Sequence, residues 1–274
     1  MFLTGRGKMR DLPDHPRENI MSVAKKSILT ACAAAALSAA LCTSAFARDV
    51  LRVGTEPTFA PFEFLNTTTK TYEGFDMDLI RAVADKAGYD VEIVNMGFDA
   101  LIPALSTGNI DVIAAGVSVT DERSKRVDFT TPYYKTGLSL LVSKQNADKY
   151  KVFDDLKGKA VAVQIGTTGA EAAKGIEGAK VKNFNTTSEA FMDVAMGGSD
   201  AVILDRPVIA YYLKTKPAAS KAVQLQPSIA DAADFAFAVK KGNKALLDKL
   251  NAALDELKKS GEFDKISGKY FAEQ

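Results

Sequence analysis

The stretch "GFDMDLIRAVADKAGYDVEIVNMGFDALIPALSTGNIDVIAAGVSV", residues 74–119, decides the fold class. It opens with Met77, Ile80 and Val83 at helical spacing and a glycine stop, which together predict a helix. A strand pattern, a second helix pattern and a strand that is apolar on both faces follow. Strands that alternate with helices in this way predict a mostly parallel sheet of α/β type.

The same alternation extends outward from this stretch in both directions. Before it, "DVLRVGTE", residues 49–56, is typical of a strand, and residues 120–127 after it favour a short helix. A second series of strands and helices occupies residues 159–215. The chain closes with a strand pattern and two amphipathic helices, predicted at Lys244–Ser260 and Glu262–Phe271.

This organisation predicts two α/β lobes around a hinged cleft. Because the second series is already complete, we expect the tail to return to the first lobe, giving it residues 48–132 and 236–274. The second lobe is then residues 138–230, with hinge crossings at 133–137 and 231–235. Open α/β sheets bind ligands beyond the carboxyl ends of their strands, so both lobes are expected to direct strand ends into the cleft.

Residues 1–47 are predicted to be an N-terminal extension followed by a secretory signal peptide. From Met21 the chain carries two lysines, an apolar run of small residues and the cleavage pattern Ala45-Phe46-Ala47. The polar, proline-containing segment 1–20 precedes the charged region, so we expect translation to begin at Met21 and the mature chain at Arg48.

Two other interpretations of the leader remain open. A transmembrane anchor over residues 27–47 is disfavoured, because the run is rich in Ala and Ser and ends in a cleavage pattern. "LTAC", residues 29–32, fits a lipoprotein box, but it follows the lysines too closely for a normal apolar region. Periplasmic export without a lipid anchor is therefore the expectation.

Composition and charge exclude several function classes. The chain is 47% hydrophobic and 25% charged, as in ordinary globular proteins. Both cysteines and the only histidine precede residue 48, and tryptophan does not occur. The mature chain is thus without a disulfide framework, a Ser-His-Asp triad or an ordinary zinc or copper site, and no metal or cofactor is expected. Without a block of basic residues, nucleic acid is not an expected partner.

Arg123, within "GVSVTDERSKRVDF" at residues 116–129, is unusual for its position. Thr120 is a plausible helix N-cap, and the acids Asp121 and Glu122 suit the positive end of a helix, whereas an arginine does not. Local chemistry leaves two explanations open. Either Arg123 pairs with Asp121 and Glu122 on a solvated face, or it binds an external anion.

Four segments of the chain resemble a known family. The segments are "GTEPTFAPFEF" (54–64), "GFDMDLIRAVADKAG" (74–88), "MGFDALIPALSTGNIDVIAAGVSVTDERSKRVDFTTPYYKTG" (96–137) and "LKGKAVAVQIGTTG" (156–169). Together they resemble the periplasmic polar amino-acid-binding proteins of ABC importers, solute-binding protein family 3. The match is closest to glutamine-binding proteins and more distant to histidine and lysine/arginine/ornithine ones. It implies a two-lobed periplasmic binding protein fold with two hinge crossings, type II, that closes on one free amino acid.

The resemblance implies how the ligand's α-carboxylate is held. Arg123 matches the arginine that clamps it, and a guanidinium offers two parallel donors that a lysine cannot supply. Ser118 and Gly116 would add a hydroxyl or backbone amide for the carboxylate and a carbonyl for the α-ammonium. Thr167 and Thr168 match the loop that grips the carboxylate from the second lobe. Alone, that short Gly/Thr loop at a helix start is only a weak anion-binding signal.

Three further residues are implied to complete the site. Asp205 matches the aspartate that binds the α-ammonium, although its place before a proline-initiated helix also suits an N-cap. Phe59 and Phe98 match two rings that sandwich the ligand side chain, whereas phenylalanine is more commonly a core residue. A ring sandwich suits either an amide or a guanidinium.

Specificity is the point at which the chain departs from the glutamine-binding pattern. Glu56 stands in place of Asp, Gln164 in place of Lys, and Leu204 in place of His. Loss of the lysine is expected to leave Glu56 without a partner, which is costly in a closed cleft unless a cationic ligand relieves it.

We expect a non-enzymatic, monomeric periplasmic receptor that delivers a polar L-amino acid, glutamine first, to a membrane-embedded ABC permease. Arginine, lysine or histidine is the alternative ligand. An enzyme on the same scaffold, such as a dehydratase, is the alternative of another class, because fold alone does not decide function. Without a histidine, such an enzyme would depend on a carboxylate such as Glu56 or on a lysine.

Overall fold

The computed structural model describes residues 48–271, so the predicted signal peptide and lipoprotein box lie outside the described residues. The strands are β1 (Asp49–Thr55), β2 (Thr58–Phe59), β3 (Glu63–Leu65), β4 (Tyr72–Glu73), β5 (Tyr89–Asn95), β6 (Val112–Ile113), β7 (Val127–Phe129), β8 (Tyr134–Ser143), β9 (Ala160–Gln164), β10 (Lys180–Phe184), β11 (Ala201–Asp205), β12 (Val223–Leu225), β13 (Ala230–Phe235) and β14 (Ala238–Lys240). The helices are α1 (Phe75–Ala87), α2 (Phe98–Thr107), α3 (Asp121–Ser124), α4 (Thr168–Gly175), α5 (Thr187–Ala195), α6 (Arg206–Thr215), α7 (Lys244–Ser260) and α8 (Glu262–Phe271). Strands and helices alternate through both series, and the α/β fold class is confirmed.

A five-stranded sheet forms the centre of the first lobe, in the order β5-β1-β6-β14-β7. β1 pairs in parallel with β5 and β6, whereas β14 is antiparallel to β6 and β7. Helix α1 buries Met77, Ile80 and Val83, the residues whose spacing predicts it. It ends at Gly88, which adopts the left-handed conformation (φ 85°) that favours glycine at a helix C-terminus.

The C-terminal tail contributes to the same lobe. β14 lies within the five-stranded sheet, and α7 packs against α1, with Lys86 Nζ 2.8 Å from Glu256 Oε1. Helix α8 also contacts α1, where Lys269 Nζ lies 2.6 Å from Asp78 Oδ2. Leu250, Leu254 and Leu257 of α7 are buried in the core between these elements.

A six-stranded sheet forms the centre of the second lobe. Its order is β10-β9-β11-β8-β12, and β13 also pairs with β8. β9 is parallel to β10 and β11, whereas β8 is antiparallel to β11, β12 and β13. The expectation of a mostly parallel sheet was therefore too simple, because parallel pairing is confined to three neighbouring strands in each sheet.

The two predicted hinge crossings pair with each other. Tyr134 is opposite Phe235 and Thr136 opposite Ala233, in antiparallel register between β8 and β13. The connection between the sheets is thus a two-stranded ribbon. The assignment of residue ranges to lobes and hinges stays a prediction.

Two predicted strands are shorter than expected, because the chain passes between the sheets at these points. Of residues 110–119, only Val112–Ile113 forms a strand. Gly116 then turns the chain with a φ of 53°, and residues 117–119 approach the end of β13. There the Val119 N–H donates to the Asp234 carbonyl at 2.8 Å. Residues 234–242 divide between β13 and β14 for the same reason.

Candidate ligand-binding site

Nine of the ten predicted site residues surround one small cavity. These are Phe59, Phe98, Gly116, Ser118, Arg123, Gln164, Thr167, Thr168 and Asp205. Several of them lie at the end of a strand or shortly after it. Gln164 is the last residue of β9 and Asp205 the last of β11, while Gly116 and Ser118 follow β6. The convergence of strand ends from both lobes explains why residues far apart in sequence meet here.

Thr120 caps the short helix α3, as predicted, and thereby fixes the backbone at Arg123. The Thr120 hydroxyl oxygen accepts a hydrogen bond from the Arg123 N–H at 3.2 Å. The guanidinium then donates to two carbonyls, from Nη1 to Ser118 at 2.9 Å and from Nη2 to Gly166 at 3.1 Å. It also lies over the ring of Phe98, 5.5 Å from the centroid. Arg123 is therefore held in one orientation by contacts from both lobes.

The explanation that Arg123 pairs with neighbouring acids on a solvated face is wrong. Glu122 pairs with Lys125 at 2.8 Å instead, and within residues 48–271 no carboxylate forms an ion pair with Arg123. Burial lowers the pKa of Arg123, and the more distant carboxylates of Asp205 and Glu171 only partly offset this effect. The cation remains charged and can accept an anion at the cavity.

Asp205 faces the same cavity from the end of β11. Asp205 stands at the N-cap position of α6, as its place in the sequence suggests, but its side chain forms no capping hydrogen bond; instead the Thr136 hydroxyl donates to its Oδ1 at 2.8 Å. Burial raises the pKa of Asp205 to about 6, while the hydrogen bond from Thr136 and the charge of Arg123 favour the ionised form. An ammonium group at the cavity would complete its contacts.

The two threonines of the α4 loop differ in what they can offer. The Thr167 hydroxyl donates to the Gln164 carbonyl at 2.7 Å and accepts from the Ala170 N–H at 3.1 Å, so it is the helix N-cap. Within the described part of the chain, the N–H and hydroxyl of Thr168 have no such partners. Thr168 at the helix start is accordingly the donor available to an anion.

Gly116 lies where the cavity, Phe59 and helix α1 meet. Any Cβ there would stand 2.7 Å from the Phe59 ring, and the φ of 53° also favours glycine. Its N–H donates to Oδ2 of the buried Asp76 at 2.8 Å, and the Tyr133 hydroxyl donates to the same oxygen at 2.6 Å. Sequence reasoning missed Asp76, because an acid in the first turn of a helix is ordinary and carries no sign of such a contact.

Glu56, the tenth predicted residue, does not line this small cavity but contacts Gln164, which does. The Gln164 amide donates to its Oε2 at 2.7 Å, and the Thr58 hydroxyl donates to the same oxygen at 2.7 Å. The expectation that Glu56 has no partner is therefore wrong, although both partners are neutral. Burial raises its pKa, and these hydrogen bonds oppose the rise. Leu204, the other position that departs from the glutamine-binding pattern, is buried in the core instead.

A larger cavity of about 550 Å³ shares four lining residues with the small one: Phe98, Arg123, Thr167 and Thr168. The other charged residues that line the larger cavity include both acids and an arginine. The smaller cavity is the stronger candidate, since it alone combines Arg123 with Asp205 and the strand ends of both lobes.

Fold and site together define a two-lobed α/β protein in which a partly buried arginine, Arg123, and a buried carboxylate, Asp205, line one small cavity. The chain belongs to the bacterial extracellular solute-binding proteins, family 3, whose model matches residues 51–273. Among the described residues, no helix has both the length and the apolar character needed to cross a membrane.

Relatives of the chain include binding proteins named for basic amino acids. A probable histidine-binding protein of Neisseria gonorrhoeae is 36% identical over 89% of this chain and 94% of its own length. ABC transporter arginine-binding protein 1 of Escherichia coli is 35% identical over 86% of this chain and 97% of its own length. An ancestral arginine-binding protein bound to arginine superposes with a TM-score of 0.78 at 45% identity, covering 82% of this chain and 99% of that one. The expected closeness to glutamine-binding proteins is not supported by these relatives.

Proposed function

We propose that the chain is the periplasmic substrate-binding component of an ABC importer for a basic L-amino acid, with arginine the first candidate. The observation that carries this proposal is the buried carboxylate of Glu56, whose hydrogen-bond partners, Thr58 and Gln164, are both neutral. The names of the relatives support the same ligand class. A membrane permease is the partner that this role requires, and we expect the receptor to act as a monomer.

Charge balance at the site favours a cationic side chain. The ligand's α-carboxylate would bind Arg123 and the N–H of Thr168, and its α-ammonium would bind Asp205. These pairings leave Glu56 as a buried negative charge without a counter-ion. Burial of an uncompensated charge costs several kcal/mol in a cleft, so a guanidinium or ammonium beside Glu56 would be selected over a neutral amide.

Phe59 and Phe98 would hold the ligand side chain between Arg123 and Glu56. Both line the cavity, and a guanidinium stacks well on aromatic rings. Phe59 is itself braced by Phe62 and Phe235, with ring centroids 5.8 and 6.1 Å away. The sandwich therefore rests on a packed aromatic cluster and is expected to be rigid.

Glutamine is the second candidate, and one observation favours it. Oε2 of Glu56 already accepts two hydrogen bonds, which lowers the cost of leaving the carboxylate without a cation. An enzyme on this scaffold has less support, because the relatives described above are named as binding proteins.

A thermal-shift screen of the purified protein against the common free amino acids tests the proposal. A ligand at about 100 times its dissociation constant adds about 2.7 kcal/mol of stability. This corresponds to a rise of roughly 5 to 10 °C in Tm for a chain of this size. We expect the largest rise with arginine, lysine or histidine.

The Glu56→Gln variant is the matched control for charge, because it keeps the shape of the side chain. It should reduce the shift caused by arginine more than the shift caused by glutamine. A screen in which glutamine alone raises Tm contradicts the basic ligand, and a screen in which no amino acid does contradicts amino-acid binding altogether.

A further inference from the structure

Two threonines join the lobes on the Glu56 side of the cavity. Thr58 belongs to β2 in the first lobe, and Thr187 is the first residue of α5 in the second. The Thr187 hydroxyl donates to the Thr58 carbonyl, and the Thr187 N–H donates to the Thr58 hydroxyl oxygen at 3.3 Å. This pair of contacts brings the start of a helix in one lobe against a strand in the other.

The same contacts continue to Glu56. The Thr58 hydroxyl accepts a hydrogen bond from the Thr187 N–H and donates one to Glu56 Oε2, at 2.7 Å. Gln164, from the second lobe, donates to the same oxygen at 2.7 Å and to the Asn185 carbonyl at 3.1 Å. One carboxylate oxygen thus accepts a hydrogen bond from each lobe. Each hydrogen bond in this series, from Thr187 through Thr58 to Glu56, has a defined donor and a defined acceptor.

The direction of these hydrogen bonds matters because the α5 N-terminus has N–H groups to satisfy. Thr186 caps the helix, but its hydroxyl accepts from the Glu189 N–H and not from Thr187. The Thr187 N–H therefore finds its acceptor across the cleft, in the first lobe. If the lobes separate, this N–H loses that acceptor and the Thr58 hydroxyl loses the donor that orients it.

We infer that Thr58 is a positioning residue for ligand selection, because its hydroxyl orients the Glu56 carboxylate, and that Thr187 holds Thr58 against the first turn of α5 when the lobes are in contact. This inference rests on the proposed function, in which Glu56 meets the ligand's cationic end. It assigns the two threonines different effects. Thr58 acts on both the orientation of Glu56 and the contact between the lobes, whereas Thr187 acts on the contact alone.

Isothermal titration of the full chain with arginine and with glutamine separates these effects. Thr58→Val removes a hydrogen bond to a charged group, and we expect it to weaken arginine binding about tenfold or more and glutamine binding by a clearly smaller factor. Thr187→Val should weaken both ligands by a similar factor, about three- to tenfold. Thr187→Ser keeps the hydroxyl and should restore binding.

Thr107→Val is the matched control, since Thr107 is exposed and donates within its own helix, to the Pro103 carbonyl. It should leave both affinities unchanged. Equal losses of arginine and glutamine in Thr58→Val would overturn the link to Glu56. Affinities within twofold of the parent chain in both Thr58→Val and Thr187→Val would overturn the inference as a whole.

Small-angle scattering of the ligand-free protein gives a readout that needs no ligand. Thr58→Val and Thr187→Val should increase the radius of gyration relative to Thr107→Val, because the lobes lose one of the contacts that hold them together. If this increase occurs but no amino acid binds any variant, the proposed function fails and the contact between the lobes stands. If arginine binds the parent chain but neither variant changes scattering or affinity, the inference fails alone.

Discussion

Arg123 shows how much of the site depends on a single side chain. Its guanidinium donates to the Ser118 carbonyl in the first lobe and to the Gly166 carbonyl in the second, and it lies over the Phe98 ring, 5.5 Å from the centroid. A ligand carboxylate would find donors already oriented, so little conformational entropy is lost when it binds. The residue thus contacts both lobes and is also the proposed anion-binding group.

The Arg123→Lys variant tests this role at the scale of the residue. A lysine retains the charge but loses the paired donors of the guanidinium, so every amino acid should bind about ten- to a hundredfold more weakly. Titration calorimetry with arginine and glutamine measures the effect. Arg126→Lys, an exposed neighbour, is the control and should bind as the parent chain does. Unchanged affinity in Arg123→Lys would remove the proposed carboxylate clamp.

Most of the candidate residues could be predicted, but their hydrogen-bond partners could not. Strand ends converge in open α/β sheets, which places residues such as Ser118 and Asp205 at one cavity. One of the two partners of Glu56, Gln164, is 108 positions away, and no local pattern pairs these residues. The contact exists only because the two lobes meet, which is a property of the whole fold.

At the scale of elements, helical periodicity was the most reliable signal. Helix α7, predicted at Lys244–Ser260, has those bounds in the structure; its buried residues, from Leu246 to Leu257, recur at helical spacing, and the helix packs on α1. Strand lengths were less predictable. Apolar residues continue through 114–117 after β6, but a turn at Gly116 carries them out of the sheet while they stay buried. At these positions the apolar residues indicate that the segment is buried, but they do not indicate that it pairs as a strand.

Leu254→Ala tests the contribution of α7 to the first lobe. The side chain is fully buried between α7 and the rest of the core, so its truncation should cost about 2 to 5 kcal/mol of unfolding free energy. Arginine affinity should stay within about twofold, because α7 does not line the cavity. Chemical denaturation and calorimetry measure the two quantities. Asp248→Ala, on the exposed face of the same helix, is the control and should change neither the unfolding free energy nor the arginine affinity. An unfolding free energy of Leu254→Ala equal to that of the parent chain would contradict the packing role.

At the scale of the whole molecule, buried carboxylates set the response to pH. Burial raises the pKa of Asp76 to about 7 and that of Asp205 to about 6, and it raises that of Glu63 well above its usual value. The unfolded chain regains ordinary values near 4. Between about pH 4 and 7 the folded protein therefore binds more protons than the unfolded chain, and its stability falls as pH rises.

The ligand-free protein should accordingly be more stable at pH 5 than at pH 7.5. A difference of one in pKa corresponds to about 1.4 kcal/mol, so we expect Tm to be higher at pH 5 by roughly 5 °C or more. Although partial burial of the Asp111 carboxylate opposes the shift, Arg52 lowers the pKa of Asp111. Carboxylates of this kind make stability rise with pH, but only below about pH 4.

Differential scanning calorimetry of the parent protein and of Asp76→Asn, between pH 5 and pH 7.5, tests this expectation. The variant cannot ionise at the position that accepts from Gly116 and Tyr133, so its Tm should depend less steeply on pH. Asp78→Asn, on the same helix but paired with Lys269, is the control and should keep the parent slope. An identical slope in Asp76→Asn would show that this carboxylate does not contribute.

The paired crossings between the sheets have a mechanical consequence. Since residues 134–136 and 233–235 are hydrogen-bonded to each other, the two connections bend as one ribbon and cannot twist independently. Relative motion of the lobes is thereby reduced to essentially one angle. An amino acid that bridges the cavity, as proposed, would set that angle, and a pair of fluorophores, one on each lobe, would then report the ligand concentration as a change in distance.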